Sequence, residues 1–250
     1  MTQYGFFIDL SRCIGCNSCA ASCLQWNNIG PGNIRWMRVQ TWETGAFPNT
    51  RNHILPVNCY QCQNPLCLKA CKQGALHKEP NFGAVLVDQD KCIGCRKCWD
   101  ACPYGSPQFA SDEPGKKMSK CNMCIDRLGE GLLPICVRSC SMRALDFGPL
   151  SDLQEKYGDL QAAHDDMPSP TRSDPSVVFK PAAGKKQVVP YDSKRALELW
   201  QHRSPQAFDQ MIFDDAKDIT EPDLSIIGRH KLKLKAKTAK EKQYYSTDDD

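Results

Sequence analysis

The chain has 250 residues, a formal charge of +3, 41% hydrophobic and 24% charged residues, and sixteen cysteines. These proportions fit one large globular unit or two small ones. The apolar runs, such as residues 6–8 and 84–87, fall far short of the roughly 20 residues that a spanning helix needs, so no direct membrane span is expected.

The start, MTQYGFFIDLSRC, carries no signal-peptide pattern and no twin arginine, so membrane contact or export is expected only through a partner. Residues 4–10, YGFFIDL, are apolar and β-prone and predict a short buried strand leading into the first cysteines. Residues 24–58 read as a long connection. Within it IRWMRVQTW alternates as a strand does, and Trp26, Trp36 and Trp42 are expected in a core or a partner interface. FGAVLVD at 82–88 predicts a second strand, and ALDFG at 144–148 a third. Residues 149–163 predict a helix capped by Ser151 or Asp152 and weakened by Gly158. Pro, Ser and Lys become frequent over 167–190, which argues for extended chain and not a core. Residues 193–213 offer one amphipathic helix, or two broken at Pro205. The end, KLKLKAKTAKEK then YYSTDDD, reads as a solvated or partner-docked tail.

The cysteines carry the chemistry. They fall in four groups: Cys13, Cys16, Cys19, Cys23; Cys59, Cys62, Cys67, Cys71; Cys92, Cys95, Cys98, Cys102; and Cys121, Cys124, Cys136, Cys140. The first and third share the spacing C-x2-C-x2-C-x3-C. Pro103 after the third completes the bacterial ferredoxin pattern for a [4Fe–4S] cluster. Gly15 and Gly94 permit the tight turns that aim backbone N–H groups at sulfur. In both groups the fourth cysteine follows the third by four residues. On a helix beginning there it points away from the first three, and in two-cluster ferredoxins it binds the other cluster. Four helical residues span about 6 Å, which puts paired clusters on the order of 10 Å apart, close enough for fast electron tunnelling.

Other uses of sixteen thiols fit less well. Disulfides rarely pair cysteines at x2 spacing, and no export signal accompanies them. Zinc sites usually combine two separated pairs, often with histidine, and His53, His77, His164, His202 and His230 match no ligand spacing. Radical-SAM spacing, C-x3-C-x2-C, is absent. With every thiol used as a ligand, no iron is left open to substrate, and no Ser/His/Asp or paired-carboxylate arrangement stands out. No catalytic residue is therefore expected on this chain. Each oxidised cluster site carries about −2, which takes the loaded chain to about −5. Lys72, Lys91, Arg96, Lys97, Lys120, Arg127, Arg138 and Arg143 then read as local counter-charges. A nucleic-acid stripe would interleave aromatics on one face, so no nucleic-acid partner is expected.

YGFFIDLSRCIGC, CIGCRKCWDACPYGSPQ at 92–108 and CNMCIDRLGEGLLPICVRSCSMRALDFGPL at 121–150, with the group at 59–71, extend the match well beyond a ferredoxin signature. Over roughly residues 4–163 the chain resembles the four-cluster electron-transfer subunits of the molybdopterin oxidoreductases, most closely those of the dimethyl sulfoxide reductase type. The resemblance implies four [4Fe–4S] clusters with shared ligands. Cluster 1 takes Cys13, Cys16, Cys19 and Cys140, and cluster 2 takes Cys23, Cys121, Cys124 and Cys136. Cluster 3 takes Cys59, Cys62, Cys67 and Cys102, and cluster 4 takes Cys71, Cys92, Cys95 and Cys98. Some relatives lack a cysteine at the place of Cys98 and hold a three-iron cluster there; its presence implies a four-iron cluster.

The fold class implied is α+β. Two nested bacterial-ferredoxin-like units of short strands and helices are followed by an extended C-terminal tail. Unit 1 comprises residues 1–50 and 115–165, unit 2 residues 51–114, and 166–250 form a partly helical, charged tail for partner docking. The implied partners are a molybdopterin (bis-MGD) catalytic subunit beside cluster 1 and, where one exists, a membrane quinol-binding anchor beside cluster 4. Location follows the partners: a soluble or membrane-associated complex, cytoplasmic or exported with a subunit that carries the signal. Two readings stay open beside this one: a free-standing polyferredoxin or hydrogenase-associated carrier, and a zinc-structured binding scaffold. Lys72 and Ser141 stand where the family often has proline, and Lys72 is expected to favour the reduced form of the cluster beside it.

Overall fold

The computed structural model describes residues 2–45, 51–182, and Leu232, Leu234 and Lys235. The helices expected at 193–213 and most of the charged end lie outside the described residues. In chain order the elements are β1 (Tyr4–Asp9), α1 (Ser18–Trp26), β2 (Arg38–Thr44), β3 (Arg51–Val57), α2 (Leu66–Lys69), β4 (Leu76–Lys78), β5 (Val85–Val87), α3 (Lys97–Ala101), α4 (Ile125–Gly129), α5 (Ile135–Arg138), β6 (Leu145–Pro149), α6 (Leu150–Tyr157) and β7 (Val177–Lys180). Among the described residues no helix is long and apolar enough to cross a membrane.

Three small sheets frame the cysteine loops. β1 lies between β6, antiparallel, and β7, parallel, while β2–β3 and β4–β5 are antiparallel pairs. β1 matches the strand expected from YGFFIDL. It alternates poorly because both of its faces are covered. Phe6 packs on Phe147 on one face, at 5.1 Å between ring centroids. Phe7 stacks on Tyr157 of α6 on the other, at 3.6 Å, beside buried Leu150, Leu153 and Val178. Each such side chain removed from water contributes about 1.5–3 kcal/mol.

β2 and β6 overlap the segments expected to be strands, each running on past its end, and β5 covers only part of the 82–88 segment. β3 and β4 have no clear mark in the sequence. β3 includes Pro56, which is tolerated because among the described residues β3 pairs only with β2. The expected helix is capped two or three residues earlier than proposed: the N-cap is Pro149, and Ser151 and Asp152 bond to each other inside the first turn. The Leu150 N–H is satisfied by the carbonyl of Gln3. The helix stops at Gly158, whose φ of 91° ends the α-helical path, so residues 159–163 are not helical.

The stretch 167–190, which its composition marks as extended chain outside any core, departs from that expectation. Residues 177–180 form β7, with Val177, Val178 and Phe179 at most 1% exposed. Four apolar residues inside a Pro- and Ser-rich segment suffice, because β1 supplies the ladder: Phe6 N–H donates to Ser176 O at 3.1 Å and Leu10 N–H to Lys180 O at 2.9 Å. The approach to β7 also ties down the second cysteine loop. Ser176 N–H donates to Tyr60 O, Gln63 N–H to Asp174 O and Asn64 N–H to Ser173 O.

The tryptophans divide. Trp42 is buried; Trp36 donates from Nε1 to Ser119 Oγ at 2.7 Å; Trp26 is 44% exposed and is held by Asp126 and by the Arg127 guanidinium over its ring. Trp42 also anchors an aromatic knot with His53 and His164, whose rings lie 5.2 Å apart. Burial, and then His53, lower the pKa of His164 below its ordinary 6.5. The unfolded chain therefore binds this proton more readily than the folded one, and stability falls as pH drops through 6.5 and below. The urea midpoint of the wild type is expected to fall on acidification from neutral pH by more than that of His164→Gln. Equal losses in the two proteins would show that His164 is not responsible.

Candidate metal centre

Each cysteine group makes a turn and then enters a short helix. In the first, Gly15 (φ 75°) and Asn17 (φ 57°) turn the loop carrying Cys13 and Cys16 into α1, which bears Cys19 and Cys23 one turn apart. The third repeats this path with Gly94 (φ 72°) and Arg96 (φ 63°) leading into α3, where Cys98 sits and Cys102 is the C-cap. The two other groups do the same less visibly. Gln61 (φ 47°) and Met123 (φ 63°) occupy the place of the glycines, and Cys67 and Cys136 lie in α2 and α5. A left-handed residue just before the second cysteine is thus common to all four groups, although only two use glycine. Gly94 has a second reason: a Cβ there would lie 2.4 Å from Lys116 O.

Packing then brings distant groups together. α1 packs on α5, and α2 on α3. One hollow is lined by Cys13, Cys16, Cys19 and Cys140, walled by Val39 and Leu145. Another is lined by Cys71, Cys92, Cys95 and Cys98, walled by Phe109 and Met118. The remaining eight thiols lie close enough to act on one another, Cys121 feeling Cys59 as well as Cys23 and Cys124. Burial, then Cys59, Cys102 and Cys67, raise the pKa of Cys62. Burial, then Cys121, Cys124 and Cys23, raise that of Cys136 well above its ordinary value.

The same causes push Cys19, Cys23, Cys67 and Cys98 up to about 12, burial being the largest in each. Cys16 moves the other way: it is exposed, and the Ser18 hydroxyl lowers its pKa. Buried thiols crowded this way resist ionisation unless a metal takes the place of their protons. Backbone N–H groups are already aimed at several of them. Ala144 donates to Cys140 Sγ at 3.2 Å, and Met118 and Met123 donate to Cys92 and Cys121 Sγ at 3.4 Å. Such bonds stabilise cluster sulfurs and tune their potential.

Among the described residues no three His, Cys, Asp or Glu side chains converge tightly enough to hold one metal ion. The thiols instead surround hollows, and that spread suits a multi-iron cluster better than a zinc ion.

The cations expected to act as counter-charges differ in their surroundings. Lys91 pairs with Asp88 and Arg96 with Asp112, and Lys72 is exposed, where solvent screens it. Lys120 is fully inside. Arg38, absent from the expected set, is also buried beside the thiols. In the sequence it stands within an alternating strand, with nothing to mark it as an interior charge.

A family profile described as a 4Fe-4S dicluster domain matches residues 50–150. The chain is 43% identical over 193 residues to a component of the anaerobic dimethyl sulfoxide reductase of Escherichia coli strain K12, a match covering 74% of this chain and 92% of that one. It is 41% identical over 172 residues to a component of the sulfite dehydrogenase of Allochromatium vinosum, covering 61% and 71%. It is 30% identical over 211 residues to the iron-sulfur subunit of the arsenate respiratory reductase of a Shewanella species, strain ANA-3, covering 66% and 89%.

Proposed function

Because the chain belongs to the family of iron–sulfur, electron-transfer subunits of the molybdopterin oxidoreductases, we propose that it passes electrons one at a time through four [4Fe–4S] clusters to or from a catalytic subunit on another chain. The observation that carries this reading is the convergence of thiols distant in sequence, Cys140 on the Cys13 hollow and Cys71 on the Cys92 hollow. The sharing then runs as follows: Cys13, Cys16, Cys19 with Cys140; Cys121, Cys124, Cys136 with Cys23; Cys59, Cys62, Cys67 with Cys102; Cys92, Cys95, Cys98 with Cys71. Each bound cluster supplies one-electron chemistry. This chain's residues space the clusters, exclude water and hold the ligands.

The arrangement is read as two nested ferredoxin-like units. Residues 1–50 and 115–165 form one, which borrows β7 for its sheet; residues 51–114 form the other. The rest of the chain beyond 165 serves partner docking. The partner beside the Cys13 set is a molybdopterin (bis-MGD) subunit. Exposed Ile14 and Met142 at that end, and a basic groove bordered by Arg12, Arg138 and Arg143, give it an apolar and cationic face. Exposed Ile93 marks the opposite end, where a quinol-binding membrane anchor or a soluble donor delivers electrons. The complex is held at a membrane, if at all, through such a partner. The substrate is set by the catalytic subunit and belongs to the class of sulfoxides, N-oxides and oxyanions.

Anaerobically purified, fully loaded complex is expected to contain about sixteen irons per copy of this chain in addition to any on the partner. It should co-purify with a molybdenum-containing subunit. Twelve irons or fewer on this chain, or a loaded chain that purifies alone, would contradict the reading.

A further inference from the structure

Three cations are buried among the described residues; Arg127 lies over the Trp26 ring and donates to Leu133 O, whereas Lys120 and Arg38 lie in the middle of the cysteine array without a carboxylate. Lys120 is 2% exposed; its Nζ donates to Val85 O and, at 2.7 Å, to Cys121 O. Arg38 is 7% exposed; its Nη2 donates to Tyr104 O at 2.8 Å and to Leu234 O at 2.9 Å. Among the described residues its buried Nη1 has no hydrogen-bond partner. All of these acceptors are neutral carbonyls, and among the described residues neither cation forms an ion pair with Asp or Glu.

A buried charge without a counter-charge is costly, and a fold that keeps two needs a negative partner. The thiols are the groups placed to provide it. Burial works against the Arg38 cation, while ionised Tyr60, Cys102 and Cys59 would favour it. Arg38 Nη2 sits on the carbonyl of Tyr104, two residues after Cys102, and Lys120 Nζ shares Cys121 O with Gln61, the residue before Cys62, so both cations lie against the Cys59 set. Lys120 reaches a second inner set through Cys121. Gln61, wholly buried, fixes this junction by donating to the same Cys121 O and accepting from Val85 N–H.

We propose that Arg38 and Lys120 are positioning residues for electron transfer. They supply the fixed counter-charge of the Cys59, Cys62, Cys67, Cys102 cluster and raise its midpoint potential, and Lys120 does the same for the cluster of the Cys121 set. The proposal rests on the ligand assignment above. Reduction adds one negative charge to a site and the next hop removes it, with no bond made and no proton moved. A cation held in low dielectric stabilises that extra charge far more than an exposed one does. The inner sites are thereby tuned from within the chain, whereas the two outer sites face partners.

The test uses the loaded complex carrying Arg38→Met or Lys120→Met, with the charge-keeping Arg38→Lys and Lys120→Arg alongside. EPR-monitored redox titration and iron content are read on the same samples, and Cys62→Ser identifies the signal of the Cys59 set. The methionine variants are expected to keep their iron. The reduced-to-oxidised ratio of the Cys59-set cluster at the wild-type midpoint should fall about tenfold, a downward shift of about 59 mV. The Cys13 and Cys92 sets should not move, Lys120→Met should also shift the Cys121 set, and the charge-keeping variants should titrate as wild type. Unchanged midpoints in loaded methionine variants overturn the proposal, as does one shift shared equally by all four clusters. Where Lys120→Met fails to load, Arg38→Met decides, because its effect is confined to one signal. A wrong iron count in the wild type, or a Cys62→Ser change in another signal, counts against the ligand assignment and leaves the charge effect to be judged on whichever signals move.

Discussion

Replacing Cys23 by alanine should disable the cluster proposed for Cys121, Cys124 and Cys136 and spare the one proposed for Cys13, Cys16 and Cys19, the nearer thiols in sequence. The reason is the helical turn between Cys19 and Cys23 on α1, both buried. Beyond burial, the neighbours that raise Cys19 are Cys13 and Cys140, whereas the one that raises Cys23 is Cys124. One EPR signal should disappear or change to a three-iron form, with a loss of about four irons or about one. Electron flow from the physiological donor to the catalytic partner should fall to background. Turnover with artificial donors that reduce the catalytic subunit directly should persist. Loss of the Cys13-set signal in its place would show that the groups are not interleaved.

The second large effect concerns the sheet. Gly5 on β1 faces the backbone of the strand beside it: a Cβ there would lie 2.6 Å from Ser176 O and 3.1 Å from Leu150 Cδ1. A carbonyl in a strand ladder cannot turn aside as a side chain can. Gly5→Val should therefore push β7 off β1, at a cost of about 1–3 kcal/mol for overpacking. For a chain of this size that is a fall of about 2–12 °C in thermal midpoint. The damage should spread to the Cys59 loop, because Ser176 also donates to Tyr60 O and Gln61 O. Faster proteolysis beyond residue 165 and faster loss of iron in air should accompany it. Gly30→Ala, at a site with nothing within 4 Å, is the control. A Gly5→Val melt no different from that control would mean that β7 does not depend on β1.

The parts legible in the sequence are those where one residue type is compulsory. Thiols at fixed spacing, with Gly15 and Gly94 between them, mark two of the turns outright. Gln61 and Met123 adopt the same left-handed turn with side chains that give no sign of it, since buried surroundings can hold a non-glycine residue there. β1 is readable because its apolar residues are nearly continuous, and β6 because Leu145 and Phe147 alternate with Asp146. β7 is not, because four residues of VVFK are too few to show a period and their flanks look like linker. β3 is masked by Pro56, a residue acceptable only on an edge that the sequence does not reveal. Arg38 is the hardest case. Its alternation with Val39 predicts an outward face, yet packing against Tyr104 and Leu234 turns it inward.

The place of β7 also fixes an order of events. β7 follows every cysteine in the chain, yet it lies directly beside β1, which precedes them all. During synthesis the thiols of Cys13, Cys16 and Cys19 emerge roughly 130 residues before Cys140, a wait of about 6–25 s at ordinary translation rates. Through that interval the first strand has neither of its neighbours and the first thiols lack the cysteine that shares their hollow. The N-terminal third of the nascent chain is therefore an exposed, oxidisable, iron-seeking segment, and the finished sheet acts as a latch that closes only when residue 180 has left the ribosome.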